Sequence, residues 1–190
     1  MNSCFNGNFK LTSPYGDRIL NGKSEFHAGV DLVGVDDTTV YAPCDAVVIV
    51  SQMVTDKKNR TWEWGNYVCL ASLDGMYHIY ICHLAERSVM QGQKVKKGDK
   101  IGVMGNTGYS FGAHTHFEVR RAGTTSKINA AQYIGIPNRE GVYRTKTKLE
   151  EDLEVLEKFG VINTPEYWIN TAPKVRYLEE LIGNMAEALR

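Results

Sequence analysis

Short apolar and β-branched runs, each ended by glycine, proline or aspartate, fill the first two thirds of the chain. Residues 40–42 and 46–53 are two such runs, broken by Pro43 and Asp45. Residues 67–73 and 76–84 flank Asp74-Gly75, a strong hairpin turn signal. Residues 93–97 and 100–104 meet around Lys97-Gly98-Asp99, and residues 114–120 close the set. Many short strands with glycine-rich turns predict a mainly β domain over residues 1–136, an antiparallel β-sheet or sandwich.

After Pro137 the apolar period changes from that of a strand to that of a helix. Leu149, Leu153, Leu156 and Phe159 recur at helical spacing and stop at Gly160. Thr164-Pro165-Glu166 has the form of an N-cap followed by a first-turn proline. Val175, Leu178, Leu181, Ile182, Met185 and Leu189 mark a second amphipathic helix. Residues 137–190 are therefore expected to form a small α-helical C-terminal segment. Some 45 helical residues are too few to fold alone, so this tail should pack on the β domain, on a second copy of the chain, or on a partner. Self-association through the C-terminal helices is thus one expectation.

The bulk numbers narrow the function classes. A chain of 190 residues that is 43% hydrophobic supports one good core with a small appendage. Lys and Arg total 22, as do Asp and Glu, so no basic field gathers nucleic acid or an anionic membrane. No apolar run approaches the ~20 residues that span a bilayer. The opening Met1-Asn2-Ser3-Cys4-Phe5-Asn6-Gly7 lacks the charged and apolar regions of a secretory signal. Cys4, Cys44, Cys69 and Cys82 include no C-x-x-C pair, which argues against a cysteine metal site. Cys69 and Cys82 lie in strand-like runs and read as buried, reduced thiols.

The five histidines carry the candidate chemistry. His27-Ala28-Gly29-Val30-Asp31 offers an imidazole and a carboxylate that can converge if Gly29 lets the backbone fold. His114-Thr115-His116-Phe117-Glu118-Val119 places two histidines on one strand face, with Phe117 and Val119 on the other. Two exposed strand histidines would give the same pattern, and Glu118 either orients a site group or is an exposed strand residue. By the same alternation His78 and His83 face opposite ways, and His78 reads as an ordinary strand residue. His27, Asp31 and His116 together supply the three protein ligands of a catalytic zinc site. His83 and His114 are left as acid–base groups, which suit neutral pH.

Competing motifs are missing. There is no H-E-x-x-H and no G-x-S-x-G. Residues 105–112, Gly-Asn-Thr-Gly-Tyr-Ser-Phe-Gly, lack the P-loop lysine and read as a flexible loop that delivers His114 and shapes a cleft.

In this ordered set the chain resembles the lysostaphin-like zinc endopeptidases of peptidoglycan, the M23 peptidase family. The likeness runs over roughly residues 10–136. It is carried by Ser13-Pro14-Tyr15-Gly16-Asp17-Arg18, by His27 through Asp31, by Cys82-His83-Leu84, and by the stretches 97–108 and 112–118. The resemblance implies an antiparallel β fold with a groove across the sheet. It also implies zinc held by His27, Asp31 and His116, with His83 and His114 catalytic. Bacterial peptidoglycan is the implied partner, and the bacterial cell wall the implied place of action. All five residues are present, whereas non-catalytic members often lack one or more of them.

One position departs from the family pattern. The glycyl-glycine-cleaving branch carries a tyrosine where this chain has Arg18. Arg18 is expected either to meet substrate, through a carboxylate or the scissile carbonyl, or to sit in a structural ion pair. Glycine-bridge specificity is accordingly not carried over, and a stem-peptide bond fits equally. Residues 160–168 bear a looser likeness to helical segments of phage-type lytic proteins. With no signal detected, the expectation is a cytoplasmic protein until release as a phage lysin, or a virion-associated one. The alternatives are a phage structural or assembly component, which the C-terminal helices keep open, and a non-catalytic wall-binding module. The second predicts a broken metal set, which the sequence does not have.

Overall fold

A computed structural model describes residues 3–175 and 177–190. Met1 and Asn2 of the opening segment lie outside the described residues. The chain divides into a β unit that ends at Thr145 and a helical unit over Lys146–Arg190.

In chain order the strands are β1 (Asn8–Ser13), β2 (Gly16–Leu20), β3 (Lys23–His27), β4 (Val30–Gly34), β5 (Thr39–Tyr41), β6 (Ala46–Met53) and β7 (Asn66–Ser72). They continue with β8 (Tyr77–Cys82), β9 (Glu86–Arg87), β10 (Lys94–Val95), β11 (Lys100–Val103), β12 (Thr115–Arg121), β13 (Lys127–Ile128) and β14 (Gly141–Arg144). The main sheet runs β10-β6-β7-β8-β12-β4-β1-β14, with β13 beside β12, and its pairings are antiparallel. A three-stranded sheet β5-β11-β9 and the hairpin β2-β3 complete the unit. The mainly antiparallel β fold expected from the run lengths is the fold observed.

Alternation along the central strands explains where the core lies. On β12, Thr115, Phe117 and Val119 take one face and are fully buried with Leu32, Ile79 and Ile81. His116, Glu118 and Arg120 take the other face. Even there His116 and Glu118 are buried, so this strand is covered on both sides. Glu118 is therefore not the exposed strand residue that its type suggests.

Two features depart from the sequence expectation. A short helix, α1 (Ala130–Ile134), lies within the β unit. Asn129 caps it by accepting from the amides of Ala131 and Gln132, and Gly135 ends it in the left-handed region. Beyond Pro137, where the composition shifts, β14 still joins the sheet by pairing with β1, and Tyr143 sets its ring 6.2 Å from that of Phe9. The β unit thus continues past residue 136.

The helical unit holds α2 (Lys148–Lys158), α3 (Pro165–Thr171) and α4 (Leu178–Glu187). A capping box starts α2: the Thr147 hydroxyl accepts from the Glu150 amide while the Glu150 carboxylate accepts from the Thr147 amide. Pro165 opens α3, but Thr164 makes no side-chain cap bond. Leu153, Leu156, Ala172, Ile182 and Ala186 form this unit's own core. Buried Asp152 is paired by Lys148 at 2.7 Å and Arg190 at 2.6 Å. Among the described residues, no helix is long and apolar enough to cross a membrane. Cys4, Cys69 and Cys82 are buried free thiols and Cys44 is half-buried.

Candidate functional site

Asp31 on β4 and His116 on β12 are direct cross-strand neighbours, so sheet register alone brings a carboxylate and an imidazole together. His27, the last residue of β3, arrives from the hairpin. Gly29 makes the approach possible. A Cβ there would lie 2.4 Å from the Phe117 carbonyl oxygen and 2.9 Å from His116 Cε1. Close packing, not an unusual backbone angle, is what requires glycine at this position.

Three donor atoms converge. His27 Nε2 lies 3.0 Å from His116 Nδ1 and 3.2 Å from Asp31 Oδ1, and His116 Nδ1 lies 3.1 Å from Asp31 Oδ1. Ligands about 2.0–2.1 Å from a tetrahedral ion stand roughly 3.3 Å apart, so the triangle matches a metal site with slight contraction. The rest of each ring agrees. His27 Nδ1 faces the Pro14 carbonyl at 2.7 Å, and His116 Nε2 faces a Glu118 carboxylate oxygen at 3.5 Å. Both acceptors suit a proton on the outer nitrogen, so that with a metal ion in place of the inner protons the two inner lone pairs would aim at one point.

The electrostatics are those of a cation site. Burial tends to raise the Asp31 carboxyl, but hydrogen bonds with His116 and His27 hold it well below the usual carboxylate range. Burial alone would lower His116. The hydrogen bonds to Asp31 and Glu118 outweigh it and push the imidazole up to about 9. Two carboxylates around one buried imidazole hold a positive charge in place, as a metal ion there would be held.

His83 and His114 border this cluster. His83 follows β8 with φ +64°, an uncommon angle for a side chain with a Cβ. Strand alternation therefore does not decide its direction, contrary to the sequence argument that set it against His78. Its ring stands 4.7 Å from that of His114 and 6.1 Å from that of His116. His83 Nδ1 faces the Thr107 carbonyl at 2.8 Å, and His114 Nδ1 faces the Gly112 carbonyl at 2.9 Å. Each ring thus presents Nε2, and His114 Nε2 comes within 3.5 Å of Asp31 Oδ1. Burial, then the neighbouring His114 and His116, lowers His83 to about 4, so it is unprotonated at neutral pH.

The glycine-rich loop is tied down on several sides. The Tyr109 amide donates to the Glu63 carbonyl at 2.8 Å, and the Thr107 hydroxyl donates to the Leu84 carbonyl at 3.0 Å. A cleft of about 820 Å³ opens above the histidines, with Phe26, Trp64, Tyr109 and Phe111 among its walls. His78 is on β8 opposite Arg120 and away from the metal triangle.

Two polar contacts around the triangle supply partners that the sequence did not name, for the ion pair weighed at Arg18 and for the orienting role weighed at Glu118. Arg18 on β2 reaches Asp31 Oδ2 at 3.3 Å, so the arginine touches the candidate ligand itself. Glu118 ion-pairs with Arg120, whose guanidinium lies 4.5 Å from the Tyr80 ring centroid and 5.4 Å from that of Trp64. Period-two spacing places Glu118 and Arg120 on the histidine face. Only their burial shows them to be part of the site's support.

Over much of the β unit the chain is similar to known peptidases. The sequence profile of Peptidase family M23 matches residues 25–130. The DD-carboxypeptidase/endopeptidase Mpg of Neisseria meningitidis is 33% identical over 113 residues, 58% of this chain and 24% of that protein. The peptidoglycan DD-endopeptidase ShyA of Vibrio cholerae is 32% identical over 117 residues, 60% of this chain and 25% of that protein. The match thus spans about a quarter of the length of either relative. Among solved structures, the catalytic domain of the antimicrobial peptidase lysostaphin from Staphylococcus simulans superposes with a TM-score of 0.57 at 27% identity. That match covers 66% of this chain and 91% of the lysostaphin domain.

Proposed function

Since the chain belongs to peptidase family M23, we propose that it is a zinc metalloendopeptidase that hydrolyses a peptide bond in bacterial peptidoglycan. The observation that carries this reading is the triangle of His27 Nε2, Asp31 Oδ1 and His116 Nδ1, with sides of 3.0–3.2 Å, bordered by two histidines that present Nε2. Two nitrogens and one carboxylate oxygen suit zinc. His27, Asp31 and His116 would hold it. When bound, zinc supplies Lewis acidity to the scissile carbonyl and acidifies the attacking water toward a pKa of about 7.

The chain's own residues do the rest. His83 and His114 each fix the Nδ1 proton on a main-chain oxygen, which leaves Nε2 to exchange protons with substrate. One Nε2 accepts the proton given up by the attacking water and returns it to the leaving amine. The other, once protonated at both ring nitrogens, donates from Nε2 to the oxygen of the tetrahedral intermediate. An extended peptide would lie along the cleft between Phe26, Trp64, Tyr109 and Phe111.

Whether the bond lies in the stem peptide or the cross-bridge is a separate matter, and Arg18 in place of the glycyl-glycine branch's tyrosine favours neither. The place of action is the cell wall. The loose likeness of residues 160–168 to phage lytic proteins supports a lysin or virion-borne enzyme.

The test is mass spectrometry of muropeptides after digestion of several purified peptidoglycan types. New peptide termini are expected from the wild type. His83→Ala and His114→Ala should each lose at least ~10²-fold in rate, the scale of acid–base assistance. A wild type that binds zinc yet makes no new termini from any wall would overturn the reading.

A further inference from the structure

The hairpin β2-β3 places Arg18 directly opposite Glu25. A cross-strand ion pair of this kind needs only a positive charge, and a lysine would serve. The arginine here does more. Its Nε and Nη2 both donate to Glu25 Oε1, at 2.7 and 2.6 Å, and its Nη1 donates to Ser13 Oγ at 2.7 Å. These contacts aim the planar fork, and Nη1 then also meets Asp31 Oδ2 at 3.3 Å. Four of the five guanidinium N–H groups are engaged by the protein itself.

The two oxygens of Asp31 consequently have different surroundings. Oδ1 faces His27, His116 and His114 at 3.2, 3.1 and 3.5 Å. Oδ2 faces Arg18. A carboxylate can bind a metal through one oxygen or through both. Chelation through both would set the metal in competition with the guanidinium for Oδ2. A catalytic site of three protein ligands depends on a position left open for reactants, which a second carboxylate oxygen would fill.

We propose that Arg18 is a positioning residue that holds Asp31 to ligation through Oδ1 alone and so keeps a coordination position open. The proposal rests on the metal-site reading above. It assigns Arg18 to the metal's carboxylate ligand, with Glu25 and Ser13 as the residues that aim it. Contact with substrate is the competing role.

Cobalt(II) substitution tests it, because the visible bands of four-coordinate cobalt are several-fold stronger than those of five-coordinate cobalt. The full chain would be loaded as wild type, Arg18→Gln, Arg18→Lys and Glu25→Gln. Each zinc affinity would be measured by competition with a chelator. Arg18→Gln is expected to weaken the cobalt bands several-fold, to lower zinc affinity by roughly tenfold or more, and to reduce kcat with KM little changed. Arg18→Lys should recover the spectrum in part. Glu25→Gln, which loosens the guanidinium but leaves Asp31 and Ser13 intact, should move the bands in the same direction by less, and it decides the matter if Arg18→Gln does not fold. Wild-type cobalt bands in the Arg18 and Glu25 variants, with a raised KM and unchanged kcat, would overturn the proposal in favour of substrate contact. A wild type that takes up neither metal would instead overturn the metal-site reading, and the proposal with it.

Discussion

Glu118 is 2% exposed and lies between His116 Nε2 and the Arg120 guanidinium. Burial tends to raise its carboxyl, while hydrogen bonds from His116 and Arg120 hold it below its ordinary value, so it stays charged. Its service to the site is to accept the His116 Nε2 proton. Glu118→Gln keeps an acceptor there and should bind zinc within a few-fold of wild type. Glu118→Ala removes the acceptor and should weaken binding by about 10–100-fold. Chelator competition on the purified variants measures both, and equal affinity in all three proteins would rule the role out. At this scale the sequence was informative where a strand governed direction. The H-x-H spacing put His114 and His116 on one face, and both reach Asp31, although His114 sits in an isolated bridge with Gly105 just before β12. It was uninformative for His83, which sits just past β8 with a left-handed backbone that no alternation rule describes. The Arg18–Asp31 contact was hidden as well, because a bond between β2 and β4 arises only once the hairpin has folded against β4.

Strand β14 is the element that composition concealed. Gly141–Arg144 is four residues long and mostly exposed, so it lacks the apolar alternation that marks a strand. Its pairing with β1 supplies the evidence instead. A chain ended after residue 136 loses the β14 ladder and the Tyr143–Phe9 ring contact and should therefore melt lower than one ended after residue 145, by roughly 2–4 °C for each kcal/mol lost. Differential scanning calorimetry of the two truncations makes the comparison, and identical midpoints would mean that β14 contributes nothing. The longer helices were easier to read. The spacing of Leu149, Leu153 and Leu156 recurs in α2, and Leu153 and Leu156 enter the unit's core. The apolar run from Val175 becomes α4 only at Leu178, because Tyr177 takes a left-handed angle just before it.

For the molecule as a whole, the candidate site draws on residues of the β unit alone, and the helical unit has a core of its own. Zinc should therefore stabilise the β unit directly, by about 4 kcal/mol at a free concentration a thousand times its Kd. Calorimetry with and without a chelator would show this, and an unmoved midpoint would refute it. The site's proton arrangement also belongs to the chain path more than to neighbouring side chains. His27, His83 and His114 face the main-chain oxygens of Pro14, Thr107 and Gly112. A peptide carbonyl is present whichever amino acid is encoded, so drift at positions 14 and 112 can alter the cleft while leaving those tautomers in place, whereas the Thr107 hydroxyl also ties its loop to Leu84. At His27 and His114 the Ser13 and Ser110 hydroxyls stand second to the carbonyls, at 3.5 and 3.2 Å, while His116 relies on the Glu118 carboxylate at its Nε2. Mutational tolerance of the proton inventory should accordingly be broad at positions 14 and 112 and narrow at Glu118.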